Sequence, residues 1–211
     1  VNENNLTVSK TARFYTAGQL TEQTKKIVFV LHGYGQLAAN FLQEFSPLFN
    51  ENIFFIAPEA LNRFYVKGTF NEAGATWMTK EDRTSEIKDY INYLEQLYEQ
   101  IIPKNCIAEI ILLGFSQGSS TVSRWANATE HHFDKLVFYA GEIAPDVIPL
   151  QYHSPILASK NYYAYGNQDK FIPEAMFQQR VKLYDQLNLT ILPFDGGHDI
   201  KLEVIEKILN D

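Results

Sequence analysis

The stretch Ile110-Ile111-Leu112-Leu113-Gly114-Phe115-Ser116-Gln117-Gly118 decides how this chain is read. Four apolar residues make a strand-sized run, and a Gly-x-Ser-x-Gly pentapeptide follows it at once. A helix-compatible segment then runs from about Gln117 to Ala128. A serine held between strand and helix needs small neighbours, because the backbone turns sharply and the hydroxyl must stand clear of the sheet. Gly114 and Gly118 supply that room, so Ser116 is expected to be a nucleophile on a strand-to-helix turn.

Working outward, short apolar segments alternate with amphipathic ones. The expected strands are Lys26–Leu31, Ile53–Ala57, Ile110–Leu113, Lys135–Ala140, Asn161–Tyr165 and Thr190–Pro193. The expected helices are Leu37–Phe49, Thr84–Ile102, Gln117–Ala128, Glu174–Leu187 and Ile200–Leu209. Within the second helix Ile87, Tyr90, Ile91, Leu94, Leu97, Tyr98 and Ile101 recur at helical spacing, and Pro103 closes it. The alternation predicts β-α-β units, and so an α/β fold with a mostly parallel central sheet and helices on both faces. Leu6–Tyr15 reads as one or two edge strands. Glu59–Lys80 carries Gly68, Gly74 and the exposed-looking aromatics Phe64, Tyr65, Phe70 and Trp77 with no clean period, which reads as a long functional loop.

Bulk properties bound the function. A chain of 211 residues with 45% apolar content is most simply one domain, residues 1–211, with a full core. The net charge of −7 argues against nucleic acid as a main partner, since phosphate binding needs clustered Lys and Arg. Cys106 is the single cysteine, so no intrachain disulfide forms, and a reducing, cytoplasmic compartment is the default expectation. The chain opens on Val1 and not on Met, which leaves a processed N-terminus and a removed export signal open. Apolar runs such as Ile27–Leu31 are too short to span a bilayer, so no integral membrane association is expected.

A serine hydroxyl needs a general base, and the base needs a carboxylate to hold its tautomer. His198 sits in the glycine-rich turn Asp195-Gly196-Gly197-His198 after a strand, and Asp169 sits in Gly166-Asn167-Gln168-Asp169 after another, ahead of Pro173. Nucleophile, acid and base then follow one another in the chain at successive strand ends, where open α/β sheets place their sites. Glu142 also follows a strand, and Asp195 and Asp199 flank the histidine, so they are alternative acids. Asp199 reads better as a first-turn charge of the last helix. An oxyanion needs two donors. The backbone N–H of Gln117 is one, and that of Tyr34, in the first β-α loop His32-Gly33-Tyr34-Gly35, is nominated as the other. His32 is expected to shape that loop. His131, His132 and His153 have no acidic partner at metal-ligand spacing, so no metal and no other cofactor is expected, and the glycine loop lacks the Gly-Lys-Ser/Thr ending of a phosphate cradle.

On these residues the chain resembles the phospholipase/carboxylesterase branch of the α/β-hydrolases, which includes acyl-protein thioesterases and small carboxylesterases. The resemblance covers nearly the whole chain. It rests on Leu31-His32-Gly33-Tyr34-Gly35, Ala57-Pro58-Glu59, Gly114-Phe115-Ser116-Gln117-Gly118, Gly166-Asn167-Gln168-Asp169 with Ile172-Pro173, and Gly197-His198. It implies an α/β-hydrolase fold without a large cap domain, a triad of Ser116, Asp169 and His198, and an oxyanion hole from Tyr34 and Gln117. Trp77 and Glu86-Ile87 match a family loop that lines the acyl site, and Tyr34, Phe64, Phe70, Trp77 and Phe115 are the candidate substrate contacts. Tyr34 stands where thioesterases of the group carry a small aliphatic residue, which bears on substrate and not on mechanism.

The expected activity is that of a carboxylesterase, lysophospholipase or acyl thioesterase on a small ester or thioester with an apolar acyl or aryl group, in a monomer or homodimer. Two other readings stay open at this point. One is a binding protein that keeps the hydrolase fold without turnover. The other is an acyltransferase that uses the same acyl-enzyme.

Overall fold

The apolar runs pair as strands because each places β-branched and aromatic residues on both faces of a sheet that helices cover on either side. The computed structural model describes residues 1–68, 71–147, 154–172, 177, 184 and 187–211. In chain order its strands are β1 (Phe14–Ala17), β2 (Lys26–Leu31), β3 (Ile53–Pro58), β4 (Asn62–Tyr65), β5 (Ala73–Thr76), β6 (Glu109–Phe115), β7 (Lys135–Tyr139), β8 (Lys160–Gly166) and β9 (Thr190–Phe194). The described helices are α1 (Ala38–Gln43), α2 (Arg83–Ile101), α3 (Gln117–Ala128), α4 (Ser154–Ala158) and α5 (Leu202–Asn210).

Seven strands form one sheet in the order β1-β3-β2-β6-β7-β8-β9, and all are parallel except β1, which runs antiparallel to β3 at the edge. Alternate residues of the central strands feed two cores. Phe29, Leu31, Leu112 and Phe138 face Tyr90 and Leu94 of α2 and Val122 and Trp125 of α3. Val28, Val30, Leu113 and Val137 face Ala38, Phe41 and Leu42 of α1 and Ile205, Ile208 and Leu209 of α5. The α/β-hydrolase architecture is therefore as expected, and among the described residues no cap domain covers the strand ends. No described helix is long and apolar enough to cross a membrane.

Four expectations are corrected or fall outside the description. The single helix over Leu37–Phe49 is instead α1 followed by a 3₁₀ turn over Ser46–Leu48, because Pro47 lacks the N–H that a continuous helix needs. Strand pairing in the N-terminal stretch begins only at Phe14, and Leu6 and Val8 are exposed. The region Glu59–Lys80 is not a loop throughout, since β4 and β5 make an antiparallel ribbon with Phe64 opposite Gly74 and Arg63 opposite Ala75. Its small residues hide the strand period because the ribbon backbone itself packs on a neighbouring loop, as described below. The helix expected over Glu174–Leu187, and Pro173 before it, lie largely outside the described residues.

Glu59, at the end of β3, ties the edge of the sheet to the ribbon. Its carboxylate is fully buried and accepts from Arg13 Nε at 2.5 Å, Arg63 Nε at 2.6 Å and the Ala38 N–H of α1 at 3.3 Å. Desolvation pushes its pKa up, but the hydrogen bonds from Arg13 and Arg63 and the charge of Arg13 outweigh it and hold the carboxyl below the usual carboxylate range. A depressed folded-state value means that ionisation contributes stability above the unfolded value of about 4.3, and that this contribution is lost as pH falls through the folded value. Both guanidinium groups reach solvent, which limits the cost of losing their partner. Glu59→Gln is expected to lower the unfolding free energy by about 1–2 kcal/mol at neutral pH, with wild type and variant converging in acid; urea denaturation across pH checks both.

Candidate active site

β6 runs straight into the serine turn, and the backbone there has no room for side chains. A Cβ on Gly114 would lie 2.2 Å from the Gly118 carbonyl oxygen, and one on Gly118 would lie 2.2 Å from that of Leu31 at the end of β2. Ser116 adopts φ 53°, ψ −117°, a conformation that costs a non-glycine residue about 1–3 kcal/mol. The surroundings over-determine it. Ser116 N–H donates to the Tyr139 carbonyl at 2.9 Å, and the buried Ser119 hydroxyl donates to the Gly114 carbonyl at 2.6 Å. The serine thus precedes the first turn of α3, where backbone N–H groups and the helix dipole favour negative charge.

The loops after β8 and β9 are knitted together and deliver the other two side chains. Asn167 N–H donates to the Phe194 carbonyl and Gln168 N–H to that of Gly196, each at 2.9 Å, and Gly166 lies so close to Gly196 and Gly197 that a Cβ would meet their carbonyl oxygens at 2.4 and 2.3 Å. His198 Nδ1 lies 2.7 Å from Asp169 Oδ2, and His198 Nε2 lies 3.0 Å from Ser116 Oγ. An ionised carboxylate only accepts, so Nδ1 carries the ring proton and Nε2 is left to accept from the serine hydroxyl. Asp169 is itself buried, and its Oδ1 accepts the Phe171 N–H at 2.8 Å and the Ile172 N–H at 3.4 Å.

The alternative acids are engaged elsewhere. Asp195 accepts from the Gln168 side chain at 2.8 Å, and the carboxylate on His198 Nδ1 is that of Asp169, not Glu142. Asp199 accepts the Gly197 N–H at 3.0 Å and pairs with Lys201 at 2.7 Å. It precedes α5 and is not in its first turn, where Glu203 stands instead.

The loop after β2 lies against the serine, since a Cβ on Gly33 would come within 3.1 Å of Ser116 Cβ. His32 orients it from below. The imidazole is fully buried, its Nε2 accepts the Ala60 N–H at 3.1 Å, and its Nδ1 therefore donates to the Gly33 carbonyl at 2.8 Å. Burial depresses the His32 pKa, against the opposing pull of the Gly33 carbonyl and Glu59, so the ring stays neutral in this tautomer. In a trans peptide the carbonyl and the following N–H point in opposite directions. The peptide bonds here are trans, so holding Gly33 C=O against His32 turns the Tyr34 N–H away from it.

The ribbon braces the same loop. Gly35 N–H donates to the Ala75 carbonyl at 2.9 Å and Ala75 N–H to the Gln36 carbonyl at 3.1 Å. A Cβ on Gly74 would lie 2.2 Å from the Gly35 carbonyl oxygen. Gln117 fastens the ribbon's far end, accepting the Trp77 N–H at 3.0 Å and donating to the Met78 carbonyl at 2.8 Å. This clamp was not legible in the sequence, because nothing in a glutamine beside a serine announces a partner about forty positions away.

Of the candidate substrate contacts, Tyr34 is 61% exposed and its ring meets that of Phe64 at 5.0 Å. Phe70 lies outside the described residues. Trp77 is buried, not exposed: its indole donates to the His32 carbonyl at 2.9 Å and its ring packs on Tyr90, which leaves a substrate no surface to touch. Phe115 is nearly buried and its ring lies 4.9 Å from that of His198. Among the described residues no group of His, Cys, Asp and Glu is placed to hold a metal ion.

The family model for serine hydrolases of the FSH1 type matches residues 21–200, a span that takes in every side chain of this array. The chain belongs to the FSH1 serine hydrolase family. No curated protein sequence gives a significant match. Solved structures agree on the fold. Esterase PE8 is 21% identical with a TM-score of 0.69 over 95% of this chain and 99% of its own. Acyl-protein thioesterase 2 of Zea mays is 16% identical with a TM-score of 0.70 over 95% and 97%. A phospholipase/carboxylesterase of Dyadobacter fermentans is 18% identical with a TM-score of 0.65 over 98% of both chains. The resemblance drawn from the motifs therefore holds, with FSH1 as the family.

Because Gly74 meets the Gly35 backbone, Gly74→Ala is expected to push the β2 loop off Ser116. Hydrolase turnover should fall about 10- to 100-fold and the unfolding free energy by about 1–3 kcal/mol, while the far-UV circular dichroism changes little.

Proposed function

We propose that the protein hydrolyses carboxylic esters or thioesters of modest size through an acyl-enzyme on Ser116. The observation that supports this most is the hydrogen-bonded line from Ser116 Oγ through His198 to buried Asp169, at 3.0 and 2.7 Å, on a strained turn at a helix N-terminus. Family membership supports the reaction class, and the site residues are our assignment.

In this reading His198 Nε2 takes the serine proton as Oγ attacks the acyl carbon, and Asp169 stabilises the imidazolium. The developing oxyanion is met by the backbone N–H groups of Gln117 and Tyr34. His198 then returns the proton to the departing alcohol or thiol. In the second half the same nitrogen activates water, which releases the acid and frees Ser116. The exposed Tyr34 ring, set against half-buried Phe64, favours an apolar acyl or aryl group over a charged one.

The test is hydrolysis of p-nitrophenyl esters from acetate to laurate, beside acyl-thioester analogues. Ser116→Ala should lose at least about 10⁴-fold in kcat, and His198→Ala a similar amount, with no further loss in the double variant because the groups act as a unit. Undiminished turnover in folded Ser116→Ala would remove the assignment.

A further inference from the structure

Phe171 stands two residues after the acid, and its backbone N–H already serves Asp169 at 2.8 Å. Any residue but proline would supply that N–H, so the aromatic side chain is not needed for it. Nor does the core use it, since Phe171 is 73% exposed. Among the described residues its ring contact is with His198, at a centroid distance of 4.8 Å and an angle of 53°. Support for the imidazole is already given by Phe115, which is 6% exposed and lies 4.9 Å from the same ring. What sets this exposed ring apart is its contact with His198, which places it at the edge of the reacting site.

We propose that Phe171 is the leaving-group wall of the site, and that the substrates are esters and thioesters whose alcohol or thiol carries an apolar ring. This rests on the acyl-enzyme reading above. When the tetrahedral intermediate collapses, the bond from the acyl carbon to the departing oxygen or sulfur breaks, and the proton that His198 Nε2 took from Ser116 goes to that atom. The departing group must therefore sit beside the imidazole while the acyl group stays bonded to Ser116. The Phe171 ring, beside that imidazole, is placed to meet the departing group. An aromatic wall favours an apolar ring through stacking and burial, by about 3- to 10-fold for one ring pair.

The experiment holds the acyl group constant and compares benzyl, methyl and glyceryl acetates, with acetylcholine as a cationic arm. Benzyl and methyl alcohols are of similar acidity, so bond breaking is matched. Wild type should favour benzyl over methyl acetate in kcat/KM by about tenfold, and Phe171→Ala should lose most of that ratio while Phe171→Tyr keeps it. The loss should appear in the acylation step of a pre-steady-state burst. Benzyl alcohol should likewise trap the wild-type acyl-enzyme better than ethanol does, by microscopic reversibility.

Equal falls for benzyl and methyl acetate in Phe171→Ala, no benzyl preference in wild type, or a preference for acetylcholine would overturn this assignment while Ser116-dependent turnover still stood. Turnover of all four esters that survives Ser116→Ala would overturn the acyl-enzyme reading and this one together.

Discussion

Backbone contact at the serine turn is the constraint on which the rest depends. Beyond Gly114 and Gly118, a Cβ on Gly141 would lie 2.2 Å from the Ser116 carbonyl oxygen, so the ends of β2, β6 and β7 and the start of α3 meet backbone to backbone, with the small Ser119 side chain bonded to the Gly114 and Tyr139 carbonyls between them. The registers Leu31↔Gly114 and Phe115↔Tyr139 bring those ends level. A non-glycine residue stays at positive φ only where its neighbours leave it no alternative, and here the sheet itself is the neighbour. The strain at Ser116 is thus held by the most buried part of the molecule, which keeps the hydroxyl in one place.

The place is set by topology. After β2 the chain crosses to β3 on one side, and β6 returns to the other side of β2, so the connections diverge between β2 and β6. A crevice opens at such a switch point beyond the carboxyl ends of the strands. The His32–Gly35 loop and Ser116 occupy its two walls. A buried polar network then tunes the loop. Glu59 anchors the end of β3, the next residue's N–H engages His32, His32 holds the Gly33 carbonyl, and Trp77 and Gln117 tie the ribbon to the same frame. In a low-dielectric interior such a network rigidifies when its members are satisfied, and these are.

Most of the sheet was legible because buried parallel strands need continuous apolar runs, and β2, β3, β6 and β7 have them. The serine turn was legible because its glycines are demanded by sterics at fixed spacing. The ribbon was not, since Ala73-Gly74-Ala75 has no strand signature and exists to let two backbones approach. Trp77 misled because an aromatic among polar residues looks exposed until its indole finds a carbonyl from a segment forty-five positions away. Phe171 left no signal, as its meaning lies in the histidine beside it.

By itself, then, the sequence determined the α/β class, the main strands of the central sheet, the serine turn and the short list of candidate acids and bases, because local sterics and periodicity act through near neighbours. Tertiary structure decided which carboxylate meets His198, how the His32–Gly35 loop is braced, and which aromatics face solvent. Those choices depend on contacts between residues far apart in the chain, such as Ser116 with His198 and Gly35 with Gly74, and no local pattern encodes them.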